Sequence, residues 1–131
     1  MSQENLEVVR RAVAALNARD LEGYLACCTP DVELDIPEVI AGVYEGPQGI
    51  RRFLTDVEDT APDFHIDIQD LKAVGADQVL APIQTGSHGR ASGIPMATTQ
   101  TNVYDLVEGK IRRIRIFADH HMALKAVGLE E

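Results

Sequence analysis

The hydrophobic period of this chain changes once. Up to residue 57 the apolar residues recur every three or four positions, and from residue 64 they alternate with polar ones. The first spacing is that of a helix with one buried stripe, and the second that of a half-buried strand. Helices first and hairpins after predict an α+β fold rather than alternating βαβ units. Leu6, Val9, Val13 and Leu16 form the stripe of a first helix, with Ser2 as its N-cap and Glu4 in its first turn. Asp20 caps a short second helix, Leu21 to Cys28, whose buried side carries Leu21, Tyr24, Leu25 and Cys28. Thr29-Pro30 ends it, and Val32 to Ile36 reads as a strand. Residues 42–46 read as a loop. Pro47 then opens a third helix at the position proline prefers, with Ile50, Phe53, Leu54 and Val57 as its apolar face.

After Pro62, Phe64, Ile66 and Ile68 alternate with His65, Asp67 and Gln69. Gly75-Ala76-Asp77 is a turn, 79–90 a long strand and 93–95 a connection. A second long strand, 96–107, is joined to the last strand, 111–118, by a Glu108-Gly109 hairpin turn. Ala123 to Val127 is a short helix stopped by Gly128. The 131 residues hold no repeat, linker or low-complexity segment, so one domain over 1–131 is expected.

Charge narrows the partners. Twenty-one acidic residues against 12 basic ones give a formal net charge of -9, which repels phosphate backbones and anionic lipid. No nucleic acid and no membrane are therefore expected as partners. The basic run Arg112-Arg113-Ile114-Arg115 is too short to reverse this. No stretch approaches 18 apolar residues, and residues 1–11 lack an apolar leader core. Cys27 and Cys28 are adjacent and point in different directions, so a mutual bridge is disfavoured. A reduced, cytoplasmic setting is expected.

Four segments, "VVRRAVAALNARDLEGYLACCTPDVELDIP", "GVYEGPQGIRRFL", "VYDLVEGKIRRIRIF" and "ADHHMALKAVGL", span nearly the whole chain. In this order and at these spacings they resemble the nuclear transport factor 2-like superfamily, and most closely its SnoaL-like and ketosteroid-isomerase-like branches. The resemblance implies a cone, in which a curved antiparallel sheet wraps around the N-terminal helices over a deep apolar pocket for a small hydrophobic molecule. It does not imply one activity, because the superfamily holds isomerases, cyclases, dehydratases, hydrolases and binding modules.

The isomerase branch uses an aspartate base, with a tyrosine and a protonated aspartic acid on the enolate oxygen. Here the tyrosine position falls on Ala12, the base on Ile36 and the acid on Asn102, so a steroid isomerase of the known type is rejected. Asp35 lies one residue before the base position. Alternation puts Asp35 with Glu33 on the face opposite Leu34 and Ile36, whereas a bulge before Pro37 would turn it inward. Two readings remain open. One is a cofactor-independent acid/base enzyme (isomerase, cyclase or hydrolase type) acting on a carbonyl- or epoxide-bearing substrate, with Asp35 as base and Asn102 on the substrate oxygen. The other is a non-catalytic ligand-binding or dimerisation module with the same cone. An inward ionisable group in the pocket would favour the enzyme.

Thr98, Gln100, Asn102 and Tyr104 share one face of their strand, unusually polar for a core and suited to a pocket. Ile114 and Ile116 are assigned to the same side, grouped with Arg112. Tyr24 and Tyr44 are expected to shape the pocket, and His88, with Arg90, to sit at its rim. Ile111, Arg113, Arg115 and Phe117 are assigned to the outer sheet face, where a homodimer is expected through Arg113, Arg115, Phe117 and Val103. His65 is expected to face out. Asp119-His120-His121 lacks metal-ligand spacing, so no metal is expected, and no cofactor either.

Overall fold

The computed structural model describes residues 2–37, 42–88 and 95–129. Helix α1 (Ser2–Asn17) and the short α2 (Leu21–Ala26) lead into β1 (Cys28–Asp35) and β2 (Val43–Glu45). Helix α3 (Gly46–Thr60) follows, then β3 (His65–Ile68), β4 (Lys72–Val74), β5 (Gln78–His88), β6 (Pro95–Val107), β7 (Lys110–Phe117) and α4 (His120–Ala126). Ser2 lies inside α1, and Pro47 falls in the first turn of α3 as expected.

Among the described residues the strands form one sheet in the order β2-β1-β7-β6-β5-β3, with β4 also on β5. Every pairing is antiparallel except β1 with β7. Pro82 sits inside β5, where a missing N–H would normally break a ladder. It is tolerated because its carbonyl faces Gln69, in the gap between β3 and β4, so no strand N–H is demanded there. The Glu108-Gly109 turn has φ of 50° and 77°, the left-handed pair that a two-residue hairpin requires.

Alternate residues of the sheet build two cores. On the concave face, α1, α2 and α3 cover Leu34, Ile66, Val79, Ile83, Tyr104 and Ile114. On the convex face, α4 covers Leu80, Val103 and Phe117 with Ala123. Side-chain amides fasten the helices to the strands. Asn17 both donates to the Ile66 carbonyl (2.9 Å) and accepts from the Ile66 N–H (2.8 Å), standing in for a neighbouring strand. Asn5, 3% exposed, donates to the Ala76 carbonyl at 2.9 Å. Arg19, at φ 60°, reaches Glu58 (2.7 Å) and the carbonyls of Leu16 and Pro62 (3.1 and 3.0 Å), joining the ends of α1 and α3.

Several expectations are corrected here. Cys28 and Thr29-Pro30 belong to β1, not to a helix and its end. Residues 43–45, read as part of a loop, are a short strand, and a second short strand at 72–74 lies where the sequence gives no element. Ile111 lies in the concave core with Ile114, not on the outer face. Asp105 pairs with Arg113 while Leu106 pairs with Ile111, so Arg112 is one residue too many and shifts the alternation. Arg112 instead reaches Asp31, Nε to Oδ2 3.0 Å. Val103 and Phe117, proposed as apolar anchors of a dimer, are 0% and 5% exposed beneath the chain's own α4. Asp119 is the N-cap of α4, accepting from the His121 N–H at 2.8 Å, and His120 meets the Thr101 hydroxyl at 2.8 Å. His65 faces outward as expected, its ring over Gly86.

Candidate ligand cavity

A cavity of about 350 Å³ opens between the concave face and the helices. Val13 and Leu16 of α1, Tyr24 of α2 and Phe53 and Val57 of α3 form one wall, with Phe64 at the approach to β3. The sheet supplies Leu34 and Ile36, Ile66, Ile83, then Gln100, Asn102 and Tyr104, and Ile114 with Ile116. This size and mostly apolar lining suit a small organic molecule.

The sheet residues are placed by register. Tyr104 stands between Val79 and Ile114, Asn102 between Ala81 and Ile116, and Gln100 opposite Ile83. The polar face expected on β6 therefore points into the cavity at Gln100, Asn102 and Tyr104. Asn102, 4% exposed, donates from Nδ2 to the Tyr104 hydroxyl at 3.3 Å, and its Oδ1 is buried with no hydrogen-bond partner. Burial pushes the Tyr104 phenol up, against the opposing hydrogen bond from Asn102. The Tyr24 phenol is pushed well up, first by burial and then by Tyr104 and the cysteines nearby. Both phenols are therefore neutral hydroxyls at working pH. Cys28, whose Sγ meets the Tyr24 carbonyl at 3.4 Å, has its thiol pushed up to about 12 by burial, so it is a packing group and not a nucleophile.

The expected base is elsewhere. Asp35 is on the opposite face of β1, its Oδ2 accepting from Arg113 Nη2 at 3.1 Å. Arg113 also reaches Glu33 (3.3 Å), and Arg115 reaches Asp105 (3.4 Å), so Asp35 belongs to a cross-strand ladder of ion pairs. The reason is the strand period. Leu34 and Ile36 take the cavity side, and Ile36, where the resemblance puts a base, lines it. Among the described lining residues there is no carboxylate, histidine or cation. Ala12, at the isomerase tyrosine position, is 0% exposed and offers no donor.

Tyr44 also misses the cavity. Its ring meets Phe53 edge-on with centroids 5.3 Å apart, and Arg52 lies 4.8 Å over it; of the two rings only Phe53 lines the cavity. The side chain of His88, and Arg90 altogether, lie outside the described residues. Phe53, Val57, Phe64 and Ile83 also line the cavity, although the sequence does not single them out for it: the apolar face of α3 and the alternation after Pro62 are signals that a core and a cavity wall share. A cluster of three or more His, Cys, Asp or Glu fit for a metal does not occur among the described residues. Nor is any of their helices long and apolar enough to cross a membrane.

The fold is shared with solved structures. TerC co-crystallised with polyporic acid matches with a TM-score of 0.80 at 22% identity, over 95% of this chain and 98% of that one. An NTF2-like protein of unknown function from Burkholderia pseudomallei matches at 0.79 and 17% identity, over 95% and 98%. A putative SnoaL-like polyketide cyclase from Jannaschia sp. CCS1 matches at 0.78 and 15%, over 99% and 95%. Likeness at these identities is likeness of fold. No curated protein matches the sequence. The SnoaL-like domain family matches residues 9–114, and with the α+β cone, its concave cavity and these neighbours in view, the chain belongs to that family.

Proposed function

We propose that the protein binds a small, uncharged, mostly apolar molecule in the concave cavity and holds one of its oxygens against Asn102, Gln100 and the tyrosine hydroxyls. The observation that carries this is the chemistry of the lining: amides, phenols and hydrocarbon, with Asp35 committed to Arg113 on the other face. Burying an ion among such groups is costly, whereas a carbonyl or hydroxyl finds partners. The non-catalytic reading is thus favoured over an acid/base enzyme relying on Asp35. The neighbours described as a polyketide cyclase and as co-crystallised with polyporic acid support a ligand of this general size. A second reading has one observation behind it. Tyr24 and Tyr104 are buried neutral hydroxyls that line the same cavity, the kind of group that stabilises a developing oxyanion. A substrate that carries its own base could cyclise there without proton removal by the protein.

The test uses 2-acetonaphthone. The chain has no tryptophan, so naphthyl emission is read without that background. Binding is expected, with no acceleration of deuterium exchange at the ketone methyl. No binding up to the solubility limit rejects the proposal, and accelerated exchange replaces it with a proton-transferring enzyme.

We propose further that two copies pair through what α4 leaves open of the outer face, where Val43 (42% exposed) flanks the ladder of Glu33, Asp35, Arg113 and Arg115. Sedimentation at micromolar protein showing only a 14.3 kDa species rejects the dimer.

A further inference from the structure

We infer that the Asn102–Tyr104 pair selects a ligand carrying a hydrogen-bond donor and an acceptor side by side, such as a neutral amide or a hydroxyl next to a carbonyl, over one carrying an acceptor alone. The inference rests on the ligand-binding reading above and deepens it. Asn102 and Tyr104 are two residues apart on one strand face, 4% and 3% exposed, and both line the cavity. They are joined by one hydrogen bond, Nδ2 to the phenol oxygen at 3.3 Å. That bond uses one of the amide's two N–H groups and leaves an acceptor, the buried and unpartnered Asn102 Oδ1, beside two donors, the second N–H and the Tyr104 O–H.

The conclusion does not depend on which way the amide is turned. In the reversed orientation Tyr104 donates to Oδ1, which leaves the amide N–H groups as donors and a phenol lone pair as acceptor. Either way the pair offers both a donor and an acceptor. Partners cannot come from the strands alongside, because the cross-strand neighbours of Asn102 are the side chains of Ala81 and Ile116. They come from the cavity side. A plain ketone satisfies only the donor and leaves a buried acceptor unpaired, and sites built around such groups discriminate strongly against the analogue that lacks the match. The aspartic acid that the resemblance places at 102 can ionise, whereas an amide cannot, so this pair keeps the same two functions at every working pH.

The experiment compares 2-naphthamide with 2-acetonaphthone, which differ by NH₂ for CH₃ at nearly equal volume, by fluorescence titration at neutral pH. The measured quantity is the ratio of their affinities, in the native protein and in Asn102→Leu, with Asn102→Ala as a second variant should the leucine fail to fold. Taking each ratio against the variant removes the difference in water solvation of the two probes. A native ratio about tenfold larger than the variant ratio is expected. Equal ratios overturn the inference and leave the ligand-binding proposal standing. A ratio that survives in Asn102→Ala overturns the assignment to Asn102. Failure of both probes to bind the native protein sinks the ligand-binding proposal itself, and this inference with it.

Discussion

Replacing Ile36 with aspartate carries a carboxyl into the cavity, at the position where the resemblance puts a base. The backbone there is held, since the Ile36 N–H donates to the Gly42 carbonyl at 2.8 Å. The half-buried side chain shares the lining with Leu34, Phe53 and Ile116. Two costs add. Loss of the buried hydrocarbon costs about 1–2 kcal/mol. The carboxyl meets no cation among the described lining residues, so desolvation raises its pKa; half burial warrants about 2 units where full burial gives 3–5. A carboxyl whose folded pKa lies above its unfolded value destabilises the fold only once the unfolded chain ionises. The penalty is absent below about pH 3.9, grows by about 1.4 kcal/mol per unit above it, and levels off past the folded value near 6. The ionisation penalty is then about 1.5 kcal/mol at pH 5 and about 2.7 kcal/mol at pH 7. Urea unfolding of the native protein and Ile36→Asp at both pH values measures it, and the gap between the two proteins should widen by about 1 kcal/mol from pH 5 to pH 7 at unchanged slope. A gap that does not move with pH refutes the reasoning, because the new carboxyl would then be in water and residue 36 outside the cavity. The same variant should acquire the deuterium exchange of 2-acetonaphthone that the native protein is expected to lack.

Leu16→Ala should cost about 2–4 kcal/mol in urea midpoints, since Leu16 is 7% exposed and helps wall the cavity; a loss under about 1 kcal/mol would remove it from the core. Gly49→Ala should cost about 1–3 kcal/mol, because a Cβ there would stand 2.7 Å from the Tyr44 backbone, and an unchanged melting temperature would show that β2 can retreat from α3. Asp35→Asn should leave 2-acetonaphthone affinity within about twofold while costing about 1 kcal/mol of stability or less; a large loss of affinity would restore Asp35 to the cavity. The Cys28 thiol, raised from 9.0 to about 12, should stay protonated when folded, so stability falls as pH climbs above about 9; Cys28→Ala should remove the onset between about pH 9 and 10 and leave the later fall that the raised Tyr24 and Tyr104 phenols add.

Period carries most of what can be read without coordinates. The alternation of Leu34, Asp35 and Ile36 already separates cavity from exterior, and it is obeyed. The polar row Gln100, Asn102, Tyr104 announces itself because such residues seldom fill a dry core. Three features escape because no local signal encodes them. The extra residue at Arg112 looks like ordinary alternation until Leu106 is seen opposite Ile111. The three-residue strands at Val43 and Lys72 exist because β1 and β5 offer them a ladder, not because of their own composition. Phe117 and Val103 read as an unclaimed apolar surface, and only the turn at Asp119 shows that the chain folds its last helix back over them.

Strand β6 serves two masters at once, and the consequence is a form of mutational independence. Its even-numbered residues from 100 to 104 meet whatever occupies the cavity, while Thr101 and Val103 seat α4 through the His120 bond and the convex core. Because neighbouring side chains leave a strand in opposite directions, a change at 100, 102 or 104 alters recognition without touching the anchorage of α4. A change at 101 or 103 does the reverse. Selectivity can therefore drift from one descendant of this chain to the next along the even positions, with the odd ones as keel. A library randomised only at 100, 102 and 104 should yield many folded members with divergent ligand preferences.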